Sequence, residues 1–271
     1  MNQKLLLLLI PLLLQACSFT NSADKGRQIY DFEKILDEVT QRSIDYLEQV
    51  DIDSTQIPRS IKKNGSPLGT TSKSWTSGFY PGLLWQLYDF SKEDELQEAA
   101  ADWMQFVKKE KDDRTTHDLG FKVYCSFGNA YKIMPNEHYN QVIVEAAETL
   151  SQRYNPVVGS IRSWDFNKET WEFPVIIDNM MNLELLFEAS KLSGDTSFAH
   201  IAYTHAKTTL KNHIREDFSS YHVVDYDTLT GEVNENYTHQ GFSRESSWAR
   251  GQAWNLYGFA IPIVQQFFGI Q

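Results

Sequence analysis

Four times along the chain a loop carrying a Trp or an Asp runs into an apolar stretch with helical spacing, at Trp75, Asp118, Asp178 and Trp248, separated by 43, 60 and 70 residues. Self-similarity on that scale is the mark of stacked helical hairpins, although spacing this irregular also fits an ordinary helical domain. In a hairpin array the loops at one end of the helices converge on a common cleft. The four landmarks are therefore expected on one mouth.

The remaining pattern is also helical. Phe32, Ile35, Leu36, Val39, Tyr46, Leu47 and Val50 share one face, Leu96, Ala99, Ala100, Trp103, Phe106 and Val107 another, and further apolar faces fall at 142–150, 178–191, 201–214 and 248–259. Pro58 to Ser74, rich in Gly, Pro, Ser and Thr, reads as loop. Strand signals are sparse; Tyr221 to Tyr226, followed by Thr230-Gly231, fits one short hairpin. The expected fold class is all-α.

A formal charge of −11 and a pI near 5.1 argue against a broad phosphate-binding surface, so nucleic acid is not an expected partner, while a local basic pocket is left open. Residues 1–17 read as a targeting segment: Lys4 supplies the positive end, Leu5 to Leu14 the apolar stretch and Leu14-Gln15-Ala16-Cys17 the small-residue cleavage site. That last run resembles the lipobox of bacterial lipoproteins, in which the Cys is lipidated; ordinary secretion with an incidental Cys is the alternative. Residues 18–30 then form a tether and 31–271 the folded domain. The expected location is the bacterial cell envelope or periplasm, with the membrane contacted only through the lipid on Cys17. Only Cys125 is left in the mature chain, so no intramolecular disulfide is available and stability has to come from the core.

Asp178 stands in the most apolar passage, Val175 to Leu186, in the first turn of an expected buried helix after Pro174. Capping is the ordinary role of such an Asp. The helix dipole favours its charge and burial disfavours it. Asp118, in Thr116-His117-Asp118-Leu119-Gly120-Phe121, also opens a helix, and two acids on such helix starts match the paired carboxylates of glycoside chemistry. A metal at His117 and Asp118 is disfavoured, because no further His lies at ligand spacing; His200 and His205 are five apart and read as surface or capping residues. The run Thr238 to Trp254 combines Arg244 and Arg250 as anion donors, His239 and Gln240 as hydroxyl partners, and Trp248 and Trp254 as sugar-stacking faces; a capped helix with core Trp residues is the bland reading. Seven Trp, thirteen Tyr and sixteen Phe suit a carbohydrate cleft, or simply a core. Neither a Gly-x-Ser-x-Gly elbow nor a Gly-rich phosphate loop occurs.

Taken together, Trp75-Thr76-Ser77-Gly78-Phe79-Tyr80-Pro81-Gly82, His117-Asp118-Leu119-Gly120-Phe121, Ile176-Ile177-Asp178-Asn179-Met180-Met181-Asn182-Leu183 and Trp248-Ala249-Arg250-Gly251-Gln252-Ala253-Trp254 resemble, in order, the motifs of the unsaturated glucuronyl hydrolases, glycoside hydrolase family 88. The resemblance implies an (α/α)6 toroid of helical hairpins and no cofactor or metal. It also implies release of 4,5-unsaturated glucuronic acid from the non-reducing end of glycosaminoglycan-type oligosaccharides left by lyases. By the same resemblance Asp178 protonates C4 of the vinyl ether and activates the water that adds at C5, and Asp118 is the second carboxylate. His222, Gln240, Trp248 and Arg250 bind the uronate, and Trp75 lines the pocket; Arg244 is a rival to Arg250 as the carboxylate clamp. Alternatives are an unsaturated galacturonyl hydrolase acting on pectin fragments, or a non-catalytic glycan-binding lipoprotein on the cell surface. The chain departs from the pattern after Phe259, where Pro262 is expected to interrupt the helix. At about 60 residues per hairpin it holds roughly four hairpins of six. A truncated product with exposed apolar helix faces and poor solubility is the expectation.

Overall fold

The computed structural model describes residues 31–268, with side chains through residue 260. The described residues fall into two compact units that divide after residue 38. The targeting segment with Cys17 and the tether to residue 30 lie outside the described residues. Among those that are described, no helix is long and apolar enough to cross a membrane.

Helix α1 (Phe32–Leu47) starts where the Asp31 carboxylate accepts the Lys34 N–H at 3.1 Å. Three helical hairpins follow. In the first, α2 (Phe79–Ser91) packs on α3 (Asp94–Val107), with the Trp85 indole donating to the Met104 sulfur at 2.7 Å in the core. In the second, a π-helical stretch (Gly120–Gly128) continues into α4 (Asn129–Ile133) and packs on α5 (Glu137–Ser151), which Asn136 caps. In the third, α6 (Leu183–Ser193) closes on Gly194 at φ 76° and packs on α7 (Thr196–Asn212), which Asp195 caps. Helix α8 (Ala249–Phe268) comes last. The all-α class expected from the sequence therefore holds. Among the described residues three hairpins are paired, against the four expected, and α1 and α8 stand outside them. Phe79 and Leu83 on α2 and Leu256 and Tyr257 on α8 are exposed.

Helix α2 and the π-helical stretch meet backbone to backbone. A Cβ on Gly78 or Gly82 would run into the carbonyl oxygens of Lys122 and Cys125, groups that cannot swing aside. Gly82→Ala therefore overpacks a rigid contact and lowers the urea midpoint by the equivalent of about 1–3 kcal/mol at unchanged m-value. A change below about 0.5 kcal/mol would show that the two backbones separate easily.

The structure corrects several local expectations. Part of the stretch read as loop from Pro58 to Ser74 is a β-hairpin, β1 (Ile57–Ile61) with β2 (Pro67–Thr70), whose Ile57 is fully buried. A second small hairpin pairs β3 (Tyr154–Asn155) with β4 (Ser160–Ile161). Pro174, read as a helix breaker, opens the edge strand β5 (Pro174–Ile176) of a three-stranded sheet with β6 (Val223–Tyr226) and β7 (Val233–Tyr237). Proline is tolerated there because an edge strand can spare one donor. The last two strands are the hairpin expected after Tyr221. His205 is not a surface residue: it is fully buried and its Nδ1 accepts the Ile161 N–H at 3.0 Å, while burial pushes its pKa down to about 3. Helix α8 runs on through Pro262, where a break was expected. Proline costs the Gly258 carbonyl its one helical partner, and a helix survives that single loss as a kink or a weak turn.

Candidate active site

Strand β5 delivers the chain into a 3₁₀ turn, Ile177–Asn182, that carries Asp178 and only then into α6. The Ile176 N–H is held by the Ser163 hydroxyl at 2.8 Å and the Ile177 N–H by the His222 carbonyl at 2.9 Å, so the turn is fixed from two sides. Asp178 caps neither the turn nor α6, which removes the ordinary reason for an acid here. It is 9% exposed, and its Oδ2 accepts no hydrogen bond among the described residues. Burial pushes its pKa up to about 7, and the nearby charge of Asp118 adds to the rise; Arg250 and the Trp254 indole pull the other way without cancelling it. A carboxyl in this state exists in both forms near neutral pH and can give or take a proton.

Asp118 stands just ahead of the π-helical stretch and is half-buried. Thr116 Oγ1 donates to its Oδ2 at 2.8 Å, and His117 Nε2 lies 3.2 Å from its Oδ1. His117 Nδ1 is 2.9 Å from the Ser163 carbonyl, which can only accept, so that nitrogen carries the hydrogen. Burial holds the imidazole below its ordinary value against the opposing pull of Asp118. The two carboxylate sites are coupled mechanically. The Phe121 N–H donates to Asn182 Oδ1 at 3.0 Å, and a Cβ on Gly120 would lie 2.6 Å from Asn182 Cα. Ser163 joins them again, its carbonyl on His117 and its hydroxyl on Ile176 and on Asn179 at 2.9 Å.

His222, at the head of β6, is set by its backbone surroundings. Its Nδ1 accepts the N–H groups of His239 at 3.0 Å and Gln240 at 3.2 Å, so the hydrogen is on Nε2. Burial pushes its pKa down to about 3, leaving a neutral ring with an Nε2–H 3.8 Å from Asp178 Oδ2. Arg250, in the first turn of α8, donates to Gln240 Oε1 at 2.6 Å, and its guanidinium lies 4.3 Å over the Trp248 ring and 5.9 Å over Trp75. The rival Arg244 is exposed and already paired with Glu235 at 2.9 Å. Arg250 also acts electrostatically on Asp178.

The expected residues Trp75, Asp118, Asp178, His222, Gln240, Trp248 and Arg250 thus come together on one mouth. Its aromatic wall runs from Trp75 to Phe121 (5.3 Å between ring centroids) to Trp254 (5.5 Å), and on the other side from Trp248 to His222 (4.6 Å) to Trp164 (5.9 Å). His239, expected as a hydroxyl partner, packs in a ring cluster with Trp164 and Trp171, two residues that the sequence did not single out although the aromatic density of 164–171 was a signal. Ser163 left no signal, because its role is a set of hydrogen bonds to residues far along the chain. No group of three His, Cys, Asp or Glu among the described residues is placed to hold a metal.

Stacked helical hairpins with two neighbouring carboxylates, of which Asp178 is pushed up by burial, an arginine and sugar-sized aromatic faces define the class, the helical-hairpin glycoside hydrolases. Within it, the chain belongs to Glycosyl Hydrolase Family 88, whose model matches residues 49–264. It is 55% identical over 191 residues to an unsaturated glucuronyl hydrolase of Formosa agariphila, covering 70% of this chain and 48% of that protein. It is 35% identical over 196 residues to an unsaturated chondroitin disaccharide hydrolase of Streptococcus pyogenes, covering 71% and 49%. The chain spans about half the length of these relatives. Among solved structures it is similar to an unsaturated glucuronyl hydrolase specific for heparin, with a TM-score of 0.80 at 42% identity, covering 85% of this chain and 62% of that one. An aspartate-to-asparagine mutant of the Streptococcus agalactiae unsaturated glucuronyl hydrolase, complexed with dGlcA-GalNAc6S, aligns with a TM-score of 0.67 at 28% identity over 90% of this chain and 60% of that one.

Proposed function

We propose that the protein removes 4,5-unsaturated glucuronic acid from the non-reducing end of lyase-generated, glycosaminoglycan-type oligosaccharides by hydrating the C4=C5 bond. The observation that carries this reading is the Asp178 carboxyl, buried beside a second carboxylate and so still partly protonated near neutral pH. In the proposed reaction Asp178 gives its proton to C4 of the vinyl ether while positive charge grows at C5 and the ring oxygen. The resulting carboxylate takes a proton from the water that adds at C5. The hemiketal so formed opens, and the C1 hydroxyl and the remaining sugar part as aldehyde and alcohol. Arg250 is placed to bind the uronate carboxylate, His222 to donate from Nε2, and Trp75 and Trp248 to flank the sugar. The relatives' activities and the dGlcA-GalNAc6S complex of one of them support the substrate class. The Cys17 motif supports a lipid-anchored place at the cell envelope, where polysaccharide fragments arrive.

The test is the loss of ultraviolet absorbance of the unsaturated bond on adding the protein to chondroitin or heparin lyase products. Binding without any loss would leave a glycan-binding protein, and turnover of pectin fragments alone would move the substrate to unsaturated galacturonate. The pH profile follows from the same carboxyl. The active form is the protonated acid, so the rate is flat below its pKa of about 7 and falls about tenfold per unit above it. A rate that stays level to pH 9 would mean that Asp178 is not the proton donor.

A further inference from the structure

We propose that Arg215 is a positioning residue for substrate binding. It locks the segment that brings His222 to the segment that brings Trp248 and Arg250, and so sets the width of the slot that takes the unsaturated uronate. This deepens the hydrolase reading and rests on it.

Between α7 and β6 the chain makes a tight turn. Ile214 bridges Ser220, the Arg215 N–H donates to the Ser219 carbonyl at 2.8 Å, and the Phe218 N–H donates to the Arg215 carbonyl at 2.9 Å. Phe218 stands at φ 64°, a conformation that a residue with a Cβ keeps only where its surroundings hold it. The turn ends at Tyr221, and the next residue is His222.

The Arg215 guanidinium joins this turn to the segment ahead of α8. Nη1 donates to Ser219 Oγ at 2.9 Å and to the Ser220 carbonyl at 3.3 Å, on its own side of the junction. Nη2 donates to the carbonyls of Arg244 at 2.9 Å and Ser246 at 3.3 Å, on the other. The Tyr221 ring lies beneath, 4.0 Å from the guanidinium carbon. These four hydrogen bonds end on carbonyl and hydroxyl oxygens and bridge two segments at once, a task for a rigid fork rather than for a single ammonium. A second tie runs beside the first: Gln252, in the first turn of α8, donates from Nε2 to the Phe218 carbonyl at 3.0 Å and accepts the Ser220 hydroxyl on Oε1 at 3.1 Å.

Both segments joined here lead directly into the mouth. Trp248 follows shortly after Ser246, Arg250 comes just beyond it, and the Trp248 ring lies 4.6 Å from the His222 ring. Asp178 is held separately, by the Ser163 hydroxyl on the Ile176 N–H and by the pairing of β5 with β6. Loss of the fork therefore loosens the wall that binds the sugar and leaves the proton donor in place. Substrate then has to order the loosened segment as it binds, a cost that falls on affinity and not on the chemical step.

The test compares the full chain with Arg215→Ala and Arg215→Lys on an unsaturated chondroitin disaccharide. Absorbance loss gives KM and kcat, and calorimetry in an Asp178→Asn background, where the sugar is not consumed, gives affinity. Arg215→Ala is expected to weaken affinity and raise KM about tenfold with kcat within about threefold of the parent, and Arg215→Lys, which reaches only one side of the junction, to weaken affinity about threefold. A mutant cycle separates positioning from general loosening. In a chain that already carries Trp248→Ala, adding Arg215→Ala is expected to cost less than about threefold in affinity, because the face it positions is gone. The proposal is overturned if Arg215→Ala leaves affinity within about twofold, if kcat falls as far as KM rises, if the cost is undiminished beside Trp248→Ala, or if the parent does not bind the disaccharide. Should Arg215→Ala not fold, an Arg215→Lys chain that binds as tightly as the parent overturns it equally. The hydrolase reading fails separately, when the parent chain binds the disaccharide and does not hydrolyse it.

Discussion

Asp178→Asn is expected to lower turnover of unsaturated uronyl disaccharides by about 10³-fold while leaving their affinity within about twofold of the parent chain. The amide keeps the shape of the carboxyl and is neutral, like the protonated acid that burial favours here, so the pocket is undisturbed in the ground state. It has no acidic proton for C4 and cannot take one from water, so both proton transfers lose their carrier. Removing a group that resists ionisation where it is buried also leaves the folded state no less stable at pH 8, so a loss of activity cannot be put down to unfolding. Absorbance loss and calorimetry on the same preparation measure the two quantities. Turnover retained to within tenfold would take the role away from Asp178, and a hundredfold loss of affinity would recast it as a binding residue.

The second large effect is on stability. Lys122, in the first turn of the π-helical stretch, is 1% exposed and reaches Glu110 at 3.1 Å and Asp113 at 3.0 Å, while Glu110, 4% exposed, also accepts the Ser72 hydroxyl at 2.6 Å. Lys122→Met is expected to cost about 3–5 kcal/mol, because it fills the same space but leaves the Glu110 carboxylate buried with no cation. For a chain of this size that lowers the melting temperature by about 10 °C. Pairing it with Glu110→Gln is expected to recover more than half of the loss, since the charge that made the burial costly is gone. A melting temperature within about 2 °C of the parent for Lys122→Met alone would show that the network is hydrated and contributes little. The same network seats the chain immediately before Asp118, so the single variant is also expected to loosen that carboxylate.

The helical class was legible because burial on one face of a helix leaves a periodic trace. The positions of Leu96, Ala99, Ala100, Trp103 and Val107 predict α3, and all five are buried. The β1–β2 hairpin was missed for the opposite reason. It is mostly exposed, so Gly65, Pro58 and Pro67 spoke louder than the single buried Ile57. His205 read as a surface residue because its polarity is satisfied by the Ile161 N–H, a partner 44 residues away that no local pattern announces. The break expected at Pro262 weighed one lost hydrogen bond above the many that α8 keeps.

For the candidate site the division is sharper. The sequence by itself determined which residue types are present and which stretches are helical, its four motifs nominated Trp75, Asp118, Asp178, Trp248 and Arg250, and the family resemblance they carry added His222 and Gln240. What it left undecided was the state of each group. Asp178 sits in a helical turn whether it caps that turn, pairs with a cation or holds a proton. Only the enclosure of its carboxyl, with Asp118 near and His222 fixed as a neutral Nε2–H donor, selects the last. The choice of Arg250 over Arg244 has the same origin, since Glu235 satisfies one and Gln240 positions the other. Desolvation and the field of neighbouring charges depend on distances between segments far apart in the chain. A proton's place is therefore set by tertiary structure, even where every residue concerned can be read from the sequence.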